Sequence, residues 1–208
     1  MNIHEYGSVS APVVLIQPIG EHNADGIEAE YNLIKELSEV EFHLLAVTVD
    51  SWNEDLSPWT APAVFGKEGF GDGAEAFLDT VLQLCTDPGK TYCIGGYSLA
   101  GLFALWASCR IDVFRGVAAA SPSVWFPGFT QYLKEQGMKS RAVYLSLGDR
   151  EERTRNPVMA TVGTCIRETQ AICREQGAEC ELEWNPGNHF QEPDVRMAKA
   201  WAWVLGKM

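Results

Sequence analysis

A short apolar run that passes directly into a helical segment most constrains the fold of this chain. Residues 92–94 are typical of a buried strand, two glycines follow, and helix-forming residues begin at Leu99. Ser98 is therefore predicted on a tight strand-to-helix turn, with Gly96 and Ala100 as its small neighbours. A serine on such a nucleophile elbow exposes its hydroxyl beside the free N–H groups of a helix N-terminus.

The motif alone leaves two interpretations of Ser98. Its pattern is Gly-x-Ser-x-Ala, one methyl group away from Gly-x-Ser-x-Gly. Parallel α/β proteins commonly have glycine where a strand feeds a helix, and a serine there can simply cap the helix. A catalytic serine needs a base and an acid from elsewhere in the chain.

Strand-like and helix-like segments alternate six times along the sequence. Short runs rich in β-branched and apolar residues predict strands, at 12–17, 42–49, 92–97, 116–120, 142–147 and 180–184. Helical spacing lies between them and in a final segment at 194–205. The alternation predicts a single α/β domain over 1–208, with a mostly parallel, doubly wound sheet of about six or more strands flanked by helices.

The composition of the chain limits the classes of molecule that it is expected to bind. The chain has 208 residues and a formal net charge of −12, which disfavours nucleic acid, anionic membrane surfaces and highly anionic substrates. The N-terminal segment lacks a basic region and an uninterrupted apolar run, so we expect no signal peptide and a cytoplasmic location. A homodimer is compatible with the sequence.

The six cysteines show no C-x-x-C pair. Most fall on apolar faces of predicted elements, which indicates reduced thiols packed as small hydrophobic residues. Disulfides or a zinc site are the alternative.

Only four histidines are available as a base for Ser98. His4 is near the terminus, His43 falls inside a predicted strand, and His22 follows the first strand but precedes the serine. His189 follows the last strand in a glycine-containing loop, which suits a group that takes and returns the serine proton. The alternative is a surface or helix-capping histidine.

An acid that orients His189 is expected in the loop after residue 147. Asp149, Glu151 and Glu152 are all candidates. We favour Glu151, three residues beyond Gly148, with Asp149 next. The other acids would form a solvated, salt-bridged loop with the neighbouring arginines.

The order serine, acid, histidine along the chain is that of the α/β-hydrolases. In that arrangement the backbone N–H of Leu99 is one oxyanion donor, and the loop after the first strand supplies the second, which we assign to Ile19, with Gly20 as the second choice. This chemistry requires no metal and no cofactor.

Aromatic residues after the strand ends are candidates for substrate binding. The longest irregular segment, 50–73, contains Trp52 and Trp59, and Trp125 with Phe126 follows the fourth predicted strand, 116–120. These side chains would line a pocket. Trp52 and Trp59 could equally anchor the loop to the core.

Four segments resemble the esterase branch of the α/β-hydrolases, the group that includes enterochelin-esterase-like and carbohydrate-esterase-like proteins. They are residues 95–102, 120–125, 147–151 and 187–189, within a likeness that spans roughly 12–205. The resemblance implies a serine hydrolase acting on an ester, with Ser98 as nucleophile and His189 as base.

The chain also departs from that branch. The antiparallel edge strands of larger relatives look absent, and the net charge of −12 disfavours an anionic siderophore. A small neutral or aromatic ester is expected instead. The alternatives are a thioesterase or peptidase with the same residues, and a catalytically silent binding module.

Overall fold

The computed structural model describes residues 2–64 and 66–208, without the side chain of His22. Seven strands form one sheet in the order β1-β3-β2-β4-β5-β6-β7. The strands are β1 Ile3–Gly7, β2 Val13–Ile19, β3 Phe42–Thr48, β4 Thr91–Tyr97, β5 Phe114–Ala120, β6 Ala142–Gly148 and β7 Glu179–Asn185. Six of them are parallel and β1 pairs antiparallel with β3.

The predicted α/β class is confirmed, with one correction at the N-terminus. Residues 3–7 form an antiparallel edge strand, although the sequence predicts no such strand. Exposed and half-buried residues alternate along this edge strand, because one of its faces is open to solvent.

Helices cover both faces of the sheet. They are α1 Ile27–Leu37, α2 Trp52–Asp55, α3 Ala74–Leu82, α4 Leu99–Arg110, α5 Phe129–Gln136, α6 Val162–Glu175 and α7 Pro193–Leu205. Helices α1 and α7 share one apolar cluster with the sheet, and α3, α4, α5 and α6 share the other. Helix α6 starts at Val162, directly after a 3₁₀ turn at Met159–Thr161.

The strand order reverses between β2 and β4, because β3 lies on one side of β2 and β4 on the other. Loops that leave the carboxyl ends of neighbouring strands at such a switch point diverge and open a crevice between them. Ser98 directly follows β4 at this position.

All six cysteines are free thiols in the structure. Burial raises the pKa of Cys85, Cys93 and Cys109 to about 12, so these three stay protonated at neutral pH. In the described part of the chain, no helix is long and apolar enough to cross a membrane.

Candidate active site

Ser98 occupies a strained turn at the start of α4. Its backbone has φ 58° and ψ −120°, a region that a non-glycine residue enters only when its surroundings enforce it. A Cβ added at Gly96 would lie 2.6 Å from Ala100 Cβ, and one added at Gly101 would lie 2.9 Å from Gly96 O. The small residues therefore allow the strand and the helix to meet at this turn.

Three side chains from different loops form a hydrogen-bonded row. His189 Nε2 lies 3.0 Å from Ser98 Oγ, and His189 Nδ1 lies 2.7 Å from Glu151 Oε2. An ionised carboxylate can only accept, so Nδ1 carries the ring proton and Nε2 is left to accept from the serine hydroxyl.

Glu151 is buried but well supplied with donors. Its side chain is 5% exposed, and its Oε1 accepts from Ser121 Oγ at 2.7 Å, Gly148 N at 2.7 Å and Arg196 Nη1 at 2.9 Å. Burial acts to raise the pKa of Glu151, but the hydrogen bond and charge of His189, with the Ser121 and Gly148 donors, hold the pKa below its usual value.

Arg196 of α7 ties this carboxylate to the histidine loop. The guanidinium is 2% exposed, and its Nη2 donates to Pro186 O at 3.1 Å and to Asn188 O at 3.0 Å. Tyr97 OH donates to His189 O at 2.7 Å. The loop that bears His189 is therefore held from two sides.

The three candidate acids separate clearly in space. Only Glu151 contacts His189 among them. Asp149 accepts from the backbone N–H of Gly187 at 2.8 Å, and Glu152 faces Arg167 at 3.6 Å with a side chain that is 38% exposed.

The other histidines have different surroundings. His43 is buried near the amino end of β3, where its Nε2 lies 3.1 Å from Glu5 Oε2. His4 lies on the edge strand β1. The side chain of His22 lies outside the described part of the chain.

The backbone amides proposed as oxyanion donors differ in direction. Leu99 begins α4, so its N–H has no carbonyl partner within the helix. Ile19 O accepts from Val49 N at 2.9 Å, and the N–H of a strand residue leaves on the same side as its C=O. The Ile19 amide therefore faces β3, and the extended residue that follows, Gly20, directs its amide toward the β4 side. The geometry favours Gly20 over Ile19.

Two cavities open on either side of Ser98. The first, of about 390 Å³, is mostly apolar. Its apolar lining consists of Trp52, Phe70, Leu99, Pro122, Trp125, Met159, Val162 and Phe190. The second, of about 550 Å³, also has polar walls, from Gln17, Asn23, Glu30 and Asp194. Both cavities share Trp52, Ser98, His189 and Phe190.

The aromatic residues predicted for the pocket divide into two groups. Trp52 and Trp125 line the first cavity. Trp59 and Phe126 are not among the described residues that line either one. Trp59 instead donates to Pro127 O at 2.9 Å and packs against the Phe126 and Tyr132 rings, so it anchors the long loop to the core.

Sequence reasoning assigned no role to several residues that surround the row. For Arg196 and Glu30 the sequence does indicate burial, because each is a charged residue at helical spacing from buried apolar residues. Ser121 has φ 45°, and only the structure reveals its contact with Glu151. Phe190 is 86% exposed and packs edge-on against the His189 ring at 5.4 Å.

Scans against protein-family models and curated proteins find no match. Solved structures do match. The IroE-like serine hydrolase from Shewanella oneidensis aligns at TM-score 0.77 and 16% identity, over 96% of this chain and 74% of that one.

Two further structures span other activities. The siderophore hydrolase EstA from Aspergillus nidulans aligns at TM-score 0.65 and 20% identity, over 97% of this chain and 85% of that one. Acyl-protein thioesterase 2 from Zea mays aligns at TM-score 0.64 and 17% identity, over 99% of this chain and 98% of that one. The chain therefore has the α/β-hydrolase fold.

Proposed function

We propose that this protein is a serine hydrolase that cleaves a small carboxylic ester through an acyl-enzyme. The observation that carries the proposal is the row Ser98, His189, Glu151, with contacts of 3.0 and 2.7 Å. Its residues come from the ends of three strands in the order serine, acid, histidine. Fold alone does not specify an activity, so the proposal rests on this geometry.

In the first half of the reaction Ser98 Oγ attacks the ester carbonyl while His189 Nε2 takes its proton. Glu151 keeps the Nδ1 proton in place and stabilises the imidazolium. The amides of Leu99 and Gly20 donate to the oxyanion at the mouth of the two cavities. His189 then returns the proton to the departing alkoxide, and the alcohol leaves.

In the second half a water molecule gives its proton to His189 and attacks the acyl carbonyl. The tetrahedral intermediate collapses, the carboxylic acid leaves, and Ser98 recovers its proton. All of these steps use side chains and amides of the chain itself.

The proposal also covers the domain, the cellular location and the partners of the protein. We infer one catalytic domain over residues 1–208 that works in the cytoplasm on a small-molecule ester, with no nucleic-acid or membrane partner. A homodimer is compatible with this role.

Labelling with a fluorophosphonate, followed by mass-spectrometric mapping, tests the nucleophile. We expect an adduct on Ser98 in the native protein and none in His189→Ala, because an unassisted serine hydroxyl is a weak nucleophile. Ser98→Ala should lose about 10⁴-fold or more of kcat on p-nitrophenyl butanoate. Folded protein that is neither labelled at Ser98 nor active on ester or thioester would contradict the proposal and favour a binding module.

A further inference from the structure

Glu30 of α1 lines the second cavity and takes no part in the proposed chemistry. The residue is 4% exposed, and Gln17 Nε2 donates to its Oε2 at 3.2 Å. Its Oε1 has no hydrogen-bond partner in the described part of the chain. Because a buried carboxyl group with an unpaired oxygen is unfavourable once it ionises, a positive charge that enters this cavity would stabilise the ionised form of Glu30.

The remaining walls of the cavity indicate the charge of that group. Asp194 supplies a second carboxyl group, and Trp52, Tyr97 and Phe190 supply aromatic faces. No lysine or arginine is among the described residues that line the cavity. Carboxyl groups and aromatic faces without a cation are complementary to a positively charged nitrogen.

The apolar cavity on the other side of Ser98 has neither of these acids, and the carboxyl group among its described lining residues, Glu151, already accepts from Arg196 and contacts His189. The two sides of the scissile bond therefore meet different surroundings. Given the ester hydrolase proposed above, we propose that the second cavity binds the alcohol part of the ester and prefers an alcohol that carries a positively charged nitrogen. Glu30 and Asp194 recognise the charge, and the first cavity holds an apolar acyl chain.

The protonation of Glu30 adds a pH signature. Burial raises the pKa of Glu30 to about 8. The charge of Asp194 also raises this pKa, and the hydrogen bond from Gln17 lowers it. At pH 7 a bound cation must therefore displace a proton, and the preference for a charged substrate should grow up to about tenfold between pH 7 and 9. The other titratable groups that line the cavity are Asp194, Tyr97 and His189.

A pair of isosteric esters isolates this effect. Butanoylcholine has a permanent charge, and 3,3-dimethylbutyl butanoate has carbon in place of its nitrogen. We expect kcat/KM to favour the charged ester at least about tenfold at pH 8. Since both esters use His189 in the same way, the ratio of their kcat/KM values cancels its titration.

Glu30→Gln should bring this ratio close to one, because glutamine has the shape of the protonated acid but cannot ionise. Glu36→Gln, an equal change of charge on the exposed face of the same helix, should keep the ratio. Asp194→Asn should lower the ratio of the two kcat/KM values by a smaller factor. This variant tests the subsite if Glu30→Gln does not fold.

A ratio of one or below in the native protein, or a ratio unchanged in both Glu30→Gln and Asp194→Asn, would overturn the subsite. Cleavage of p-nitrophenyl butanoate without cleavage of either isostere would also overturn the subsite, but it would still support the proposed ester hydrolase activity. Failure on all three esters, together with an unlabelled Ser98, would overturn the proposed function itself.

Discussion

Two glutamates in this molecule have buried side chains with different surroundings. The side chain of Glu151 is 5% exposed, and Glu30 is 4% exposed. Glu151 meets His189, Ser121, Arg196 and the Gly148 amide. Among the described residues, the Glu30 side chain has one hydrogen bond, from Gln17, and its Oε1 has no partner.

Their pKa values move in opposite directions as a result. Burial raises the pKa of Glu30 to about 8. Burial acts on Glu151 in the same sense, but the His189, Ser121 and Gly148 donors lower its pKa below the usual value. The charge state of a buried carboxyl group is therefore decided by the number and kind of its donors. One glutamate is suited to orient a base, and the other is suited to pair with an incoming cation.

Among changes to the two glutamates and their partners, the largest effect is expected from Glu151→Gln. Glutamine cannot offer Nδ1 the negative charge that fixes the ring tautomer and stabilises the imidazolium, so kcat should fall about 10³- to 10⁴-fold. Steady-state hydrolysis of p-nitrophenyl butanoate measures it. Glu152→Gln is the matched control and should change kcat less than about threefold, because exposed ion pairs contribute little. A loss confined to Asp149→Asn would assign the acid to Asp149.

Removing the cation beside Glu151 should weaken the set of donors that distinguishes this carboxylate from Glu30. Arg196→Met leaves the buried Glu151 carboxylate without its cation. It also removes the two hydrogen bonds that the guanidinium donates to the loop that bears His189. The free energy of unfolding should fall by about 3–5 kcal/mol, as measured by urea denaturation. Arg150→Met, at a side chain that is 66% exposed, should stay within about 0.5 kcal/mol of the native protein. Equal losses in the two variants would refute the special role of Arg196.

The two glutamates should also give opposite dependences of stability on pH. Glu30 ionises near 4.5 in the unfolded chain and near 8 in the folded one, so folding binds a proton and stability falls as pH rises through this interval. The loss is on the order of 4 kcal/mol. Glu151, with its lowered pKa, contributes stability above its unfolded pKa that is lost as pH falls through the folded one.

Urea denaturation at pH 5, 6, 7 and 8 measures the Glu30 contribution. Glu30→Gln should remove most of the fall in stability, and Glu36→Gln should retain it. If native protein and Glu30→Gln lose stability in parallel, Glu30 is ionised in the folded state and the contrast with Glu151 disappears.

The row through Ser98 was predictable from sequence because each member follows a strand end in a loop with its own chemistry. Ser98 has the small residues Gly96 and Ala100 two positions to either side, and His189 follows a glycine turn. The choice of Glu151 over Asp149 was less secure, since both follow Gly148 closely and only the course of the loop separates them.

The surroundings of the row were harder to predict. Glu30 lies in the first turn of α1, where an acidic residue is also favourable at the surface, and it shares a stripe with the buried Ile27 and Ile34. Arg196 likewise shares a stripe with Ala200 and Val204. Spacing reveals that such a charge is buried, but its partners come from distant segments and appear only in the folded chain.

The smallest effect is expected from Tyr97→Phe, which removes a single tie to the loop that bears His189. The phenol donates to His189 O at 2.7 Å and accepts from Arg196 Nη1 at 3.2 Å. Phenylalanine keeps the ring that packs 5.2 Å from the His189 ring, so the loss in stability should be about 1 kcal/mol. Urea denaturation and kcat on p-nitrophenyl butanoate would be measured together. If the loop is held mainly by Arg196, kcat should fall only about two- to fivefold, because a net hydrogen bond of this kind is worth about 0.5–1 kcal/mol. A loss of kcat as large as that of Glu151→Gln would instead mean that Tyr97 positions His189 as strongly as the carboxylate does.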